Sequence, residues 1–200
     1  APRCCATTST RPVPTMAAAA VLTRADAWSR AMDLCVAAFA DEPFVVELFG
    51  DDHEMRVEGA RSLFGTQAPW PHAVVLGIEE DDRLLACAIL TQPGACHACS
   101  RAGMPAPSAG GADHSEWRFE QNVVDAHAGL GRHGWVSKVA VDPRERGSGL
   151  GRAVIEYART VCDGPLVLEC QPHRGPFYAA CGFVEIGTIE DPAGDRKSGV

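Results

Sequence analysis

Apolar positions in the first third of the chain recur at helical spacing. Trp28, Ala31, Met32, Cys35, Val36 and Phe39 lie three and four residues apart, which puts one stripe of a helix against a core. Asp26 stands where a carboxylate can accept an orphan amide of the first turn, and Pro43 follows the end. A second helical region is expected from about Phe44 to Phe64, broken near Gly50-Asp51-Asp52. Upstream, the short apolar run Ala17–Leu22 is expected to open the first strand. The period then changes. Ala73–Ile78 and Leu84–Thr91 read as strands joined by the solvated turn Glu79–Arg83, a hairpin. Pro93–Gly111, rich in Gly, Pro, Ala and Ser, reads as a long loop, and Glu116–His127 as a short helix.

The last third alternates strand and helix. Trp135–Val141 reads as a strand, Asp142–Ser148 as a polar turn, and Gly149–Cys162 as a helix burying Leu150, Val154, Tyr157, Ala158 and Val161. Leu166–Cys170 reads as a strand whose one charged residue is Glu169. A short helix around Pro176–Cys181 and a strand from Phe183 to about Ile189 follow. A strand–helix–strand connection crosses over right-handed, so part of the sheet is parallel and covered by helices. The expected fold class is α/β, a mixed, partly parallel sheet flanked by helices.

Composition narrows the function classes. The 200 residues, 46% hydrophobic and 22% charged, suit one core-forming domain, placed at residues 19–190. Residues 1–18 open a stretch of 25 without an acidic residue, bearing Arg3, Arg11 and Arg24 among hydroxyl residues. Such a start suits either a disordered tail or an organelle transit segment. Asp191–Val200 is polar, with Pro192 and two glycines, and is expected to be irregular. The net charge of −8 repels phosphate backbones, disfavouring nucleic acid, and no apolar run is long enough for a membrane-spanning helix. The nine cysteines follow no regular framework and are expected to be reduced thiols in an intracellular protein, cytoplasmic, or in a plastid or mitochondrion if the first segment is a transit peptide. A monomer or a homodimer is expected.

Candidate chemistry gathers in the turn Arg144–Ala153. Gly147, Gly149 and Gly151 alternate, which lets main-chain amides turn inward, and the following helix adds its positive end. Arg144, Arg146 and Arg152 add charge in an otherwise acidic chain, so the turn suits a pyrophosphate. A Walker loop needs Gly-Lys-Ser/Thr, yet Gly151 is followed by Arg152-Ala153. A dinucleotide fingerprint counted from Gly147 and Gly149 needs a third glycine where Arg152 stands.

Arg146-Gly147-Ser148-Gly149-Leu150-Gly151 matches Arg/Gln-x-x-Gly-x-Gly/Ala, the signature of the GNAT superfamily of acyl-CoA N-acyltransferases, which this chain resembles. The entry strand Val139-Ala140-Val141-Asp142-Pro143 and the downstream Phe177-Tyr178-Ala179-Ala180-Cys181-Gly182-Phe183 are similar to the family's segments, and the resemblance runs over roughly residues 20–190. It implies acetyl transfer from acetyl-CoA, as cosubstrate, to a primary amine. The amides from Arg146 to Arg152 (Gly147, Ser148, Gly149, Leu150 and Gly151 between them) would hold the pyrophosphate. The main chain of Val139 and Val141 would bond the pantetheine arm where the sheet splays. Tyr178 would protonate the departing thiolate, a task that fits a phenol neutral at pH 7. A degenerate domain that binds acyl-CoA without turnover is the rival reading.

An acceptor amine with a pKa near ~10.4 arrives protonated and needs a base. Glu169, alone among apolar strand residues, is the candidate, because burial raises a carboxyl pKa. The alternative is a structural glutamate paired with Arg174 or Lys138. His133 and Glu120 are weaker candidates. Cys96-His97-Ala98-Cys99 offers three metal ligands without an evident fourth, so no metal is expected. Asp41-Glu42 and Asp51-Asp52 read as a solvated face that could also attract a cationic acceptor.

Overall fold

A computed structural model describes residues 18–65, 72–95, 122–190 and 196–199. The loop centred on Pro93–Gly111, the Cys96–Cys99 group and Glu120 fall largely or wholly outside these residues, as does the 1–17 segment. The elements are β1 (Ala20–Val21), α1 (Ala27–Phe39), α2 (Pro43–Phe49), α3 (His53–Ala60), β2 (Ala73–Glu80), β3 (Arg83–Thr91), α4 (122–128), β4 (Gly134–Val141), α5 (Leu150–Val161), β5 (Leu166–Val167), β6 (Glu169–Cys170), α6 (Gly175–Ala180), β7 (Gly187–Glu190) and β8 (Arg196–Gly199). Five strands pair in the order β1-β2-β3-β4-β5, antiparallel except for the parallel β4–β5 pair, and β6-β8-β7 form a second sheet. This is the mixed α/β architecture that the strand–helix alternation predicts.

β3 runs through the centre, buried on both faces. Ala86, Ala88 and Leu90 turn to the cluster that holds Val154, Ile155 and Ala158 of α5, while Cys87 and Ile89 turn to Ala31, Cys35 and Ala38 of α1. The period of two in the strand thus meets two helical stripes, one per face. Ile89 is fully buried, so Ile89→Ala is expected to lower unfolding free energy by about 2–5 kcal/mol in a urea titration.

Local expectations hold unevenly. Gly50, at φ 79°, separates α2 from α3, and the Asp52 carboxylate caps α3 by accepting from the Met55 amide at 2.9 Å. Asp26 stands at the N-cap position of α1, but its carboxylate bonds the Arg24 guanidinium at 3.1 Å instead of a first-turn amide. The segment 166–170 is one extended run shared by two sheets, and 183–186 joins no strand. The expected irregular tail is corrected at 196–199. Arg196–Gly199 lies between β6 and β7 and pairs antiparallel with both, because a short polar segment can still satisfy its backbone across two sheet edges.

Candidate active site

The site begins with one extra residue. β3 and β4 stay in register from Thr91↔Trp135 to Leu90↔Val136, and then Ile89 pairs with Lys138, leaving Ser137 as a bulge. The bulge reverses the alternation of β4. Val136, Val139 and Val141 consequently pack on the α5 face, with Ala140 on the α1 face. The Asp142 amide donates to the Leu85 carbonyl on β3 at 2.8 Å. Main-chain direction alternates along a strand, so Val139 and Val141 turn their N–H and C=O groups to the opposite edge. Among the described residues β5 pairs along that edge only at Gly134 and Trp135, and the chain then leaves to join β8. The two sheets diverge there, beside Val139 and Val141.

At the end of β4 the glycine turn leads into α5. Gly147 and Gly149 have φ of 81° and 90°, in the left-handed region, and Gly149 caps α5 without a side-chain bond. Leu150, Gly151 and Arg152 open the helix, where amides have no carbonyl one turn earlier. A Cβ on Gly151 would sit 3.3 Å from both Phe177 and Val141, so those side chains would have to give way to any larger residue there. Two of the turn's arginines also find carbonyl partners. Arg146 donates to the Ala38 carbonyl at 2.7 Å, tying the turn to α1, and Arg152 donates to the Ala180 carbonyl of α6. Their guanidinium groups brace the turn, and the helix-end amides remain the groups suited to an anion.

Tyr178 on α6 is half-buried against the α5-side core, edge-on to Phe177 and Phe183 with ring centroids 5.0 and 6.0 Å away. Burial, and then the neighbouring Cys170, push its phenol well above the ordinary tyrosine value, so it stays protonated. Glu42 also acts on it electrostatically, as does Arg174 in the opposite sense. Sequence reasoning placed Glu42 in a solvated cluster. The carboxylate is in fact buried, bonded to Arg174 and 3.3 Å from His173, and it bridges the α1–α2 corner to the turn before α6. The neighbouring Pro43 at the start of a helix marks residue 42 as a cap position, the one signal that could have set it apart from Asp41.

Glu169 leaves the opposite face of the strand from Cys170, which packs in the core with Tyr178. Its Oε2 accepts the Trp135 indole N–H at 2.9 Å, and its Oε1 bonds His127 Nε2. The expected alternatives are thereby corrected. Arg174 belongs to Glu42, and the Lys138 ammonium lies over the Phe64 ring at 5.9 Å, lowered from its ordinary value by burial. His133 is buried behind His127 instead of lining an open surface. Tyr178 thus packs with Cys170 on the α5 side, while Glu169 leaves the same strand on the other face.

Burial, followed by Glu185 and Glu169, pushes the Cys170 thiol up to about 11. A raised value keeps a thiol protonated and unreactive at pH 8. Cys170 is therefore expected to resist alkylation in the folded chain at pH 8 and to react once urea unfolds it, read by peptide mass mapping.

Residues 112–185, spanning β4 to α6, match the family model described as an acetyltransferase (GNAT) domain. The chain is 41% identical over 63 residues to the probable glucosamine 6-phosphate N-acetyltransferase 2 of Oryza sativa subsp. japonica, a match covering 30% of this chain and 38% of the relative. It is 44% identical over 59 residues to glucosamine 6-phosphate N-acetyltransferase 1 of the same plant, covering 28% and 36%. The matched region thus spans little more than a third of either curated relative. Among solved structures, a histone acetyltransferase and related acetyltransferase from Corynebacterium glutamicum superposes with a TM-score of 0.57 at 18% identity, covering 92% of this chain and 94% of that one. The Drosophila melanogaster polyamine N acetyltransferase gives 0.55 at 16% identity, covering 90% and 97%. These two share the fold.

Proposed function

We propose, from the GNAT acetyltransferase match over residues 112–185, that the chain moves the acetyl group of acetyl-CoA directly to a primary amine, on a small molecule or on a peptide or protein. The observation that carries this reading is the junction of β4 with α5. There the main chain of Val139 and Val141, unpaired on that edge among the described residues, runs into a left-handed glycine turn whose helix-end amides suit a pyrophosphate. Gly147, Ser148, Gly149, Leu150 and Gly151 hold the phosphates through their backbone, with Arg146 and Arg152 fixing the turn. Tyr178, kept neutral by burial, donates its proton as negative charge builds on sulfur. Glu169 takes the proton that the acceptor ammonium must lose before its lone pair can attack.

The rice relatives and the fly enzyme are named for acceptors that carry primary amines, which supports the amine class. The test is release of free CoA thiol from acetyl-CoA with a panel of glucosamine 6-phosphate, polyamines, agmatine and a peptide with a free N-terminus. Thiol release dependent on one of these amines supports the transferase. Thermal stabilisation by acetyl-CoA with no amine-dependent release selects the binding domain instead.

A further inference from the structure

Three hydrogen bonds run end to end behind Glu169. His133 Nδ1 lies 2.7 Å from the Gly131 carbonyl, His127 Nδ1 lies 2.9 Å from His133 Nε2, and His127 Nε2 meets Glu169 Oε1. The groups are linked in series and do not converge on one point, and no metal-holding group of His, Cys, Asp or Glu occurs among the described residues. A carbonyl only accepts, so His133 Nδ1 carries a hydrogen. Three links require three hydrogens, and two neutral imidazoles bring one each. The third is an added proton. It sits either on an imidazole facing a carboxylate or on the carboxyl facing a neutral imidazole, and in both forms the series is electrically neutral.

Without that proton the series bears one negative charge and one link places two lone pairs face to face. His127 and His133 are 1% and 2% exposed, so water does not relieve such a contact. Uptake of one proton therefore both neutralises a buried charge and completes the bonding. The Gly131 carbonyl cannot pass on a proton from His133 Nδ1. Glu169, with a side chain 13% exposed, is the open end.

We propose that Glu169, His127 and His133 work as one base with a capacity of a single proton, with Glu169 meeting the acceptor amine and the two histidines as positioning residues that hold the charge neutral. This rests on the reading of Glu169 as the base. In the step, an N–H bond of the acceptor ammonium breaks and its electron pair stays on nitrogen. The series first gives its added proton through Glu169 to water; the ammonium's proton then bonds to the vacated series at Glu169, and after acyl transfer it leaves to water by the same route. Nothing is oxidised or reduced.

Nitrogen-15 NMR of the histidine rings in the full chain tests the series apart from catalysis. The expected spectrum shows both His127 nitrogens and His133 Nδ1 hydrogen-bonded, with His133 protonated at Nδ1, and an unprotonated His133 Nδ1 overturns the arrangement. In Glu169→Gln the amide can donate to His127, so two neutral rings suffice and no added proton should remain. A kinetic cycle with Glu169→Gln, His127→Gln and the double variant follows, each checked for retained stabilisation by acetyl-CoA. Every single change is expected to lower kcat at least ~10-fold, with the double no slower than the slower single. Multiplying effects overturn the shared base. Full kcat in Glu169→Gln overturns the base reading itself, and the NMR result then still decides the series. Should His127→Gln not fold, His133→Gln takes its place in the cycle.

Discussion

Replacing Tyr178 by phenylalanine is expected to lower kcat by about 10²–10⁴-fold while leaving the affinity for acetyl-CoA nearly unchanged. The substitution removes the hydroxyl and keeps the ring that packs edge-on to Phe177 and Phe183. Only assistance given in the transition state is lost. The phenol is raised by burial, so its protonated form persists as the pH rises past the ordinary tyrosine value near ~10. The native enzyme therefore keeps its donor in alkali. In the variant the departing thiol, with an ordinary pKa of about 8.5, leaves more readily as thiolate when the pH rises, so the deficit narrows. Steady-state kinetics of both proteins from neutral pH upward, with acetyl-CoA binding measured alongside, checks this. Full kcat in Tyr178→Phe near neutrality would falsify the role of general acid.

Gly149→Val is expected to abolish stabilisation by acetyl-CoA. At a hundred times its Kd the ligand adds about 2.7 kcal/mol to the native chain, and a thermal shift of that size should be absent in the variant. The cause is conformational. At φ 90° Gly149 sits where a β-branched residue is strained by roughly 1–3 kcal/mol, and nothing lies within 4 Å of its Cβ position to clash. Strain is relieved by rotating the turn, which re-aims the amides of Leu150 and Gly151 while the core clusters around β3 stay intact. A thermal shift equal to that of the native chain contradicts the assignment of this turn.

The glycine turn, the β2–β3 hairpin and the α5 stripe were legible because each rests on local chemistry. Positive φ asks for glycine, and one buried face imposes its period on the sequence. Other features depend on partners distant in the chain. Glu42 reads as one more surface acid until Arg174 and His173 come to it from the turn before α6. The Ser137 bulge leaves no compositional trace, since only the register against Ile89 and Leu90 reveals it. Glu169 was identified as an anomaly in an apolar strand, yet its wiring to His127 and Trp135 follows from the parallel pairing of β4 with β5. Arg196–Gly199 misled for the same reason, being polar in sequence and ordered by two neighbouring strand edges. The arginine side chains of the turn read only as added charge, and their bracing of the carbonyls of Ala38 and Ala180 depends on elements distant in the chain.

Incubation with acetyl-CoA labelled in its acetyl group, together with the acceptor amine that the panel identifies, tests direct transfer most plainly. The label in the amide product and the free CoA thiol are counted in the same sample. Direct transfer to the amine predicts one labelled amide for every thiol released and no label retained on the chain. Thiol released without amide, or label held on a cysteine of the protein, contradicts it.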